Sequence, residues 1–172
     1  MDYINQINAY YEKLKENIDK IDRGEINKAM EALKEARDNK HYIFIMGNGG
    51  SASTASHFTG DFNKGLSLNR EKRFRFVCLN DNSATVLSLA NDVAYEAIFV
   101  EQLKNFLSEG DVVMAISGSG NSKNVINAVE YAKERGNTVI GLTGYNGGKL
   151  MGLSDIKLHV PVDDMQIVED LH

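Results

Sequence analysis

Met46-Gly-Asn-Gly-Gly-Ser-Ala52 and Ile116-Ser-Gly-Ser-Gly-Asn-Ser122 decide how this chain of 172 residues is read. Each opens on the last residue of a short apolar run and closes where a helix-length segment begins. The runs are Tyr42-Ile-Phe-Ile-Met46 and Val112 to Ile116. Apolar runs of that length that end in glycine or a turn read as buried strands. Three more fit: Phe74 to Leu79, Thr138 to Leu142 and Ile156 to Val160. Between them lie helix-length segments at 51–63, 83–90, 94–107, 122–135 and roughly 147–153. Strands alternating with helices indicate an α/β fold with a mostly parallel sheet.

Two helices precede this alternation. Ile4, Ile7, Tyr11, Leu14, Ile18 and Ile21 recur in steps of three and four, an apolar stripe on one helical face. Asp22-Arg23-Gly24 interrupts it, and Ile26, Ala29, Leu33 and Ala36 continue on a second helix. The first stripe packs either on its own domain or against another copy of the chain. The length suits one domain, 1–172, and 42% apolar with 25% charged residues suits a globular protein. A net charge of −5 argues against bulk binding to nucleic acid or an anionic membrane. The single cysteine, Cys78, allows no internal disulfide and no Cys-rich zinc site. No apolar run approaches the ~20 residues of a membrane span. The first residues show no basic stretch followed by an apolar core, so the expected compartment is the cytoplasm.

In open parallel sheets, ligands bind beyond the carboxyl ends of the strands, where both turns fall. A helix start there presents unpaired N–H groups and partial positive charge. Glycines admit the ligand close to the backbone, and hydroxyls add donors. Ser117, Ser119 and Ser122 are placed to surround a phosphate. Gly47-Asn-Gly-Gly50 lacks both the Walker lysine and the full dinucleotide spacing, so a nucleotide loop is the weaker reading.

His57 and Asp61 are four apart on the helix opened by the first turn, hence on one face. They suit a divalent metal, a general base in Asp61, or a plain surface ion pair. Glu169 and His172, three apart, share a helical face in the same way, and mixed His and carboxylate pairs are compatible with zinc. Asn91-Asp92 follows an apolar stretch; it suits a helix cap or a contact to a sugar hydroxyl. The final pattern reads as a helix cut short at residue 172.

With these residues together the chain resembles the sugar isomerase (SIS) domain family, and within it the phosphoheptose isomerases. The resemblance rests on Gly47-Asn-Gly-Gly-Ser51 with His57, on Ala90-Asn-Asp92, on Ile116-Ser-Gly-Ser-Gly-Asn-Ser122, and on Gly141-Leu-Thr-Gly144 with Gly147-Gly-Lys149. It implies a three-layer α/β sandwich, a five-stranded parallel sheet flanked by helices, assembled as a homotetramer. It implies a phosphate held at Ser117, Gly118, Ser119 and Ser122, and a sugar contacted by Asn48, Gly49, Gly50 and Ser51 and by Asn91 with Asp92. It implies a divalent metal, zinc by expectation, at His57, Asp61 and Glu169, with Asp61 also the catalytic base.

Four departures from the family pattern stand out. Asp61 replaces a Glu, Gly118 a Thr and Glu169 a Gln, and the family's last His ligand would fall beyond residue 172. The activity implied is an aldose–ketose isomerisation of a phosphosugar, sedoheptulose 7-phosphate to a heptose 7-phosphate, through an enediol with metal assistance. Two alternatives stay open: a phosphosugar-binding or adaptor SIS protein of the type that associates with the replication initiator, and an isomerase for another phosphosugar.

Overall fold

The computed structural model describes residues 2–172. Strand β1 (Ile43–Gly47) is buried along its whole length, and its side chains alternate between two cores. Ile43 and Ile45 join Ala29, Leu33 and Ala36 of helix α2 (Arg23–Asp38) and Ala55 of α3 (Gly50–Gly60). Phe44 and Met46 join Leu103 of α5 (Val100–Phe106), Val125 and Val129 of α6 (Lys123–Glu134) and Leu150 of α7 (Gly148–Leu153). A strand covered on both faces has no polar face to show, which is why the run is continuously apolar.

With β2 (Phe76–Cys78), β3 (Val112–Ser117), β4 (Thr138–Thr143) and β5 (Ile156–His159), β1 forms one parallel sheet in the order β2-β1-β3-β4-β5. This is the expected five-stranded three-layer architecture. From β1 the chain steps to one side for β2, then returns past β1 for β3. The order therefore reverses between β1 and β3, the topological switch point of such sheets.

Several boundaries differ from the sequence reading. α3 ends at Gly60 and widens into a π-helical turn, Asp61–Gly65. Segment 94–107 divides into a 3₁₀ turn, Tyr95–Ala97, and α5. Helix α4 spans Ser83–Asp92, so Asp92 closes a helix and does not cap the next. A last helix, α8 (Met165–Leu171), begins on Asp164, whose carboxylate accepts from the N–H groups of Gln166 and Ile167.

Helix α1 (Ile4–Ile18) lies against α8, with Lys13 paired to Asp164 and the Tyr10 hydroxyl donating to Asp170. Its apolar stripe points away from the body: Ile4 is 60% and Tyr11 56% exposed, and Ile7 and Ile18 are exposed as well. The chain itself covers only Leu14 and Ile21 of that stripe, each in part. Among the described residues no helix is long and apolar enough to cross a membrane.

Candidate functional site at the switch point

β1 and β3 end side by side, Gly47 in register with Ile116, so the two glycine–serine turns leave the sheet as neighbours. In the first turn Gly49 has φ +56°, ψ −122°, a backbone region that favours glycine. A Cβ on Gly47 would lie 2.6 Å from that of Ser51, so the tight entry into α3 requires glycine there too. Asn80, beyond β2, pins the turn: its Nδ2 donates to the Gly47 carbonyl at 2.9 Å and its Oδ1 accepts from Gly47 N–H at 3.2 Å.

In the second turn Ser117 is buried, and its Oγ lies 3.1 Å from Ser122 Oγ. Ser122 occupies the N-cap position of α6 but makes no side-chain capping bond; its hydroxyl faces Ser117 instead. Ser119 Oγ accepts from Asn121 N–H at 3.3 Å. Gly144 N–H donates to the Gly118 carbonyl at 2.8 Å, tying this turn to the loop after β4. Neither N-cap residue, Gly49 or Ser122, caps its helix through a side chain, although Asn124 Oδ1 takes the Val125 N–H within the first turn of α6. Two helix N-termini with their first amides and hydroxyls beside the switch point make an anion cradle.

The turns are joined by an amide pair. Asn48 and Asn124 exchange two hydrogen bonds of 2.9 Å, and the Tyr95 hydroxyl reaches Asn48 Oδ1 at 2.9 Å. Asn124 and Tyr95 escaped the sequence reading, as did Asn80. The available signal was slight: Asn124 follows a serine-rich helix start, where a capping amide is ordinary. Asn91 and Asp92, at the exposed end of α4, bond each other at 2.7 Å, three residues before Tyr95.

Helix α8 covers the turns. A Cβ on Gly118 would meet Met165 Sδ at 2.6 Å, one on Gly144 would meet Val168 Cγ2 at 2.3 Å, and one on Gly50 would stand 3.1 Å from Glu169 Oε1. Glu169 is therefore at the start of α3, where a carboxylate is favoured by the helix dipole. His57 and Asp61 sit farther along α3, Nε2 to Oδ2 3.3 Å, both mostly exposed. Gly50 to Gly60 is 11 residues, so Asp61 lies about 16 Å down the helix from the cradle. His57 and Asp61 pair with each other, and Glu169 stands at Gly50 instead. Among the described residues no three His, Cys, Asp or Glu side chains are grouped to hold a metal ion. The three expected ligands do not fit one metal centre within a single chain.

Comparison with known proteins places the chain in a family. A family model described as the SIS domain matches residues 2–144. A phosphoheptose isomerase of Helicobacter pylori (strain P12) is 37% identical over 164 residues, covering 95% of this chain and 84% of its own. The chain belongs to the SIS-domain family, with the phosphoheptose isomerases. The Aliarcobacter butzleri phosphoheptose isomerase is 36% identical over 147 residues, 86% of this chain and 77% of its own. The solved phosphoheptose isomerase of Neisseria gonorrhoeae superposes with TM-score 0.89 at 30% identity, covering 98% of this chain and 91% of the other. That of Francisella tularensis gives 0.89 at 29%, covering 99% and 92%. The SIS model stops at Gly144, so α7, β5 and α8 lie beyond it; the full-length relatives extend the likeness over them.

Proposed function

We propose that this SIS-domain chain is an aldose–ketose isomerase that converts sedoheptulose 7-phosphate to a heptose 7-phosphate. The observation that carries the reading is the cradle at the switch point, Ser117 and Ser122 together with two helix starts, in a chain related to phosphoheptose isomerases. The phosphate lies among Ser117, Gly118, Ser119 and Ser122 at the α6 N-terminus. Asn48, Gly49, Gly50 and Ser51, with Asn91 and Asp92, contact the sugar. Fixing the phosphate fixes the distance to the reacting carbons. A carboxylate, Asp61, removes a proton from C1 of the ketose as the C2 carbonyl oxygen gains one, giving an enediol. The proton returned to C2, with loss of the O1 proton, gives the aldose. Main-chain amides at helix starts stabilise the negative charge that develops on oxygen. A divalent ion such as zinc at His57 and Asp61 needs a further donor, and no step above uses one.

A seven-carbon sugar phosphate spans about 10 Å when extended, whereas Asp61 is about 16 Å along α3 from Gly50. The reading therefore gives each cradle its base from another copy of the chain, within a homotetramer. Beside Asp61 an open recess of about 470 Å³ is lined by Phe58, Phe62 and Leu66, apolar surface that a second copy would cover. The cytoplasm is the compartment assigned, because phosphorylated sugars are charged metabolites retained inside cells.

Incubation with sedoheptulose 7-phosphate, followed by detection of the aldose, tests the reading directly. Asp61→Asn is expected to abolish turnover and to keep phosphosugar binding. Turnover of that variant at the wild-type rate would refute the mechanism.

A further inference from the structure

The hydrogen bonds around Asn48 can be oriented atom by atom. The backbone N–H of Val125 can only donate, and it reaches Asn124 Oδ1 at 3.0 Å. That contact fixes which end of the Asn124 amide is oxygen. Asn124 Nδ2 then donates to Asn48 Oδ1, and Asn48 Nδ2 donates back to Asn124 Oδ1, each at 2.9 Å. Asn48 Oδ1 has no hydrogen, so the Tyr95 hydroxyl, 2.9 Å away, spends its proton there.

Counting what remains identifies the ligand these groups suit. Both lone pairs of Asn48 Oδ1 are engaged, and one of its two Nδ2 hydrogens is left. The Tyr95 oxygen, its proton committed, offers only lone pairs. Asn124 is 2% exposed and locked, whereas Tyr95 is 54% exposed on the 3₁₀ turn and its bond to Asn48 lies at the surface, within reach of a ligand. One free donor beside one free acceptor matches a sugar hydroxyl, which accepts and donates at once. The phosphate ester of a sugar, as a dianion, has no proton to give to the Tyr95 oxygen, so the group that donates there is a hydroxyl of the sugar.

We propose that Tyr95 orients the substrate, its hydroxyl oxygen accepting a hydrogen bond from a sugar O–H while Asn48 donates to the same sugar. Asn124 is the positioning residue that sets the Asn48 amide. The assignment rests on the isomerase reading for the class of substrate alone. The test is calorimetric binding of sedoheptulose 7-phosphate and of inorganic phosphate to the wild type and to Tyr95→Phe, with turnover measured in parallel. Tyr95→Phe is expected to raise Kd and KM for the sugar phosphate about three- to tenfold, the worth of one hydrogen bond, and to leave inorganic phosphate unchanged. Equal weakening of both ligands would mean a merely structural role and overturn the proposal, as would no change in either. A wild type that binds the sugar phosphate no better than phosphate also overturns it. A wild type that binds the sugar but never turns it over sinks the isomerase reading, while the Tyr95 comparison still decides the orientation. Asn124→Ala is expected to weaken sugar-phosphate binding as well.

Discussion

A Cβ at Gly120 would stand 2.0 Å from the Gly147 carbonyl oxygen, and the residue's φ of +66° is one that L side chains avoid. Gly120→Ala must therefore move the loop after β4 or the serine turn itself. The expected cost is about 2 kcal/mol or more, read as a lower urea midpoint, with weaker phosphate binding because Ser119 and Ser122 flank the distortion. Cys78 illustrates the opposite situation, a reactive group made inert. Burial among apolar neighbours pushes its thiol up to about 11. At pH 8 the thiolate is then scarce, and the sulfur lies within the sheet. Ellman's reagent is expected to leave Cys78 unmodified in the native protein and to titrate one thiol in urea. Rapid reaction of the folded chain would contradict the packing of β2.

At the scale of elements, α8 is the part on which the cleft depends. Met165 Sδ fills the space above Gly118, so Gly118→Thr is expected to push α8 off the turn and weaken phosphosugar binding. Gly118→Thr with Met165→Ala should recover much of that loss, which a double-mutant cycle on binding would show. The far end of α8 carries His172, whose Nε2 lies 3.3 Å from the Thr143 carbonyl and whose Nδ1 has no partner. Burial holds its imidazole below the ordinary 6.5, and His159 adds to the same effect. Above pH 7 the imidazole is neutral both folded and unfolded and has no influence on the slope. As pH falls through 6.5 the unfolded chain gains the proton first, so stability declines until the lower folded value is passed. The unfolding midpoint should thus drop between pH 7 and 5.5 more steeply in the wild type than in His172→Gln. The five strands were legible because a strand buried on both faces is written as an unbroken apolar run. The turns were legible because glycine and serine answer a local backbone and anion chemistry. The Asn48 contacts were not: partners 76 and 47 positions away leave no periodic trace. The place of Glu169 beside Gly50 was hidden for a related reason, since it is set by how α8 docks on the turns.

For the whole molecule, the question left by the sequence was where the α1 stripe goes, because a hydrophobic period gives a direction and no partner. In one chain it faces outward, while Tyr10 and Lys13 on another side of the helix hold α8. Replacing Ile7 and Tyr11 by Glu should lower the mass found by light scattering if that face is a subunit contact. Turnover should fall with the mass, since the base and the cradle would come from different copies. Complementation separates this arrangement from a site complete in each chain. Asp61→Asn removes the base and keeps the cradle. Ser122→Asp keeps the α6 start, because Asp is a good N-cap, but sets a carboxylate against the phosphate. Each variant alone is expected to be inactive. Co-expressed in equal amounts, random assortment in a closed oligomer gives about a quarter of the pockets an intact cradle from one copy and an intact Asp61 from the next. Activity near a quarter of wild type would establish the shared site. None at all, in mixed oligomers of wild-type mass, would require Asp61 to reach the cradle of its own chain and would rule out the 16 Å separation as it stands along α3.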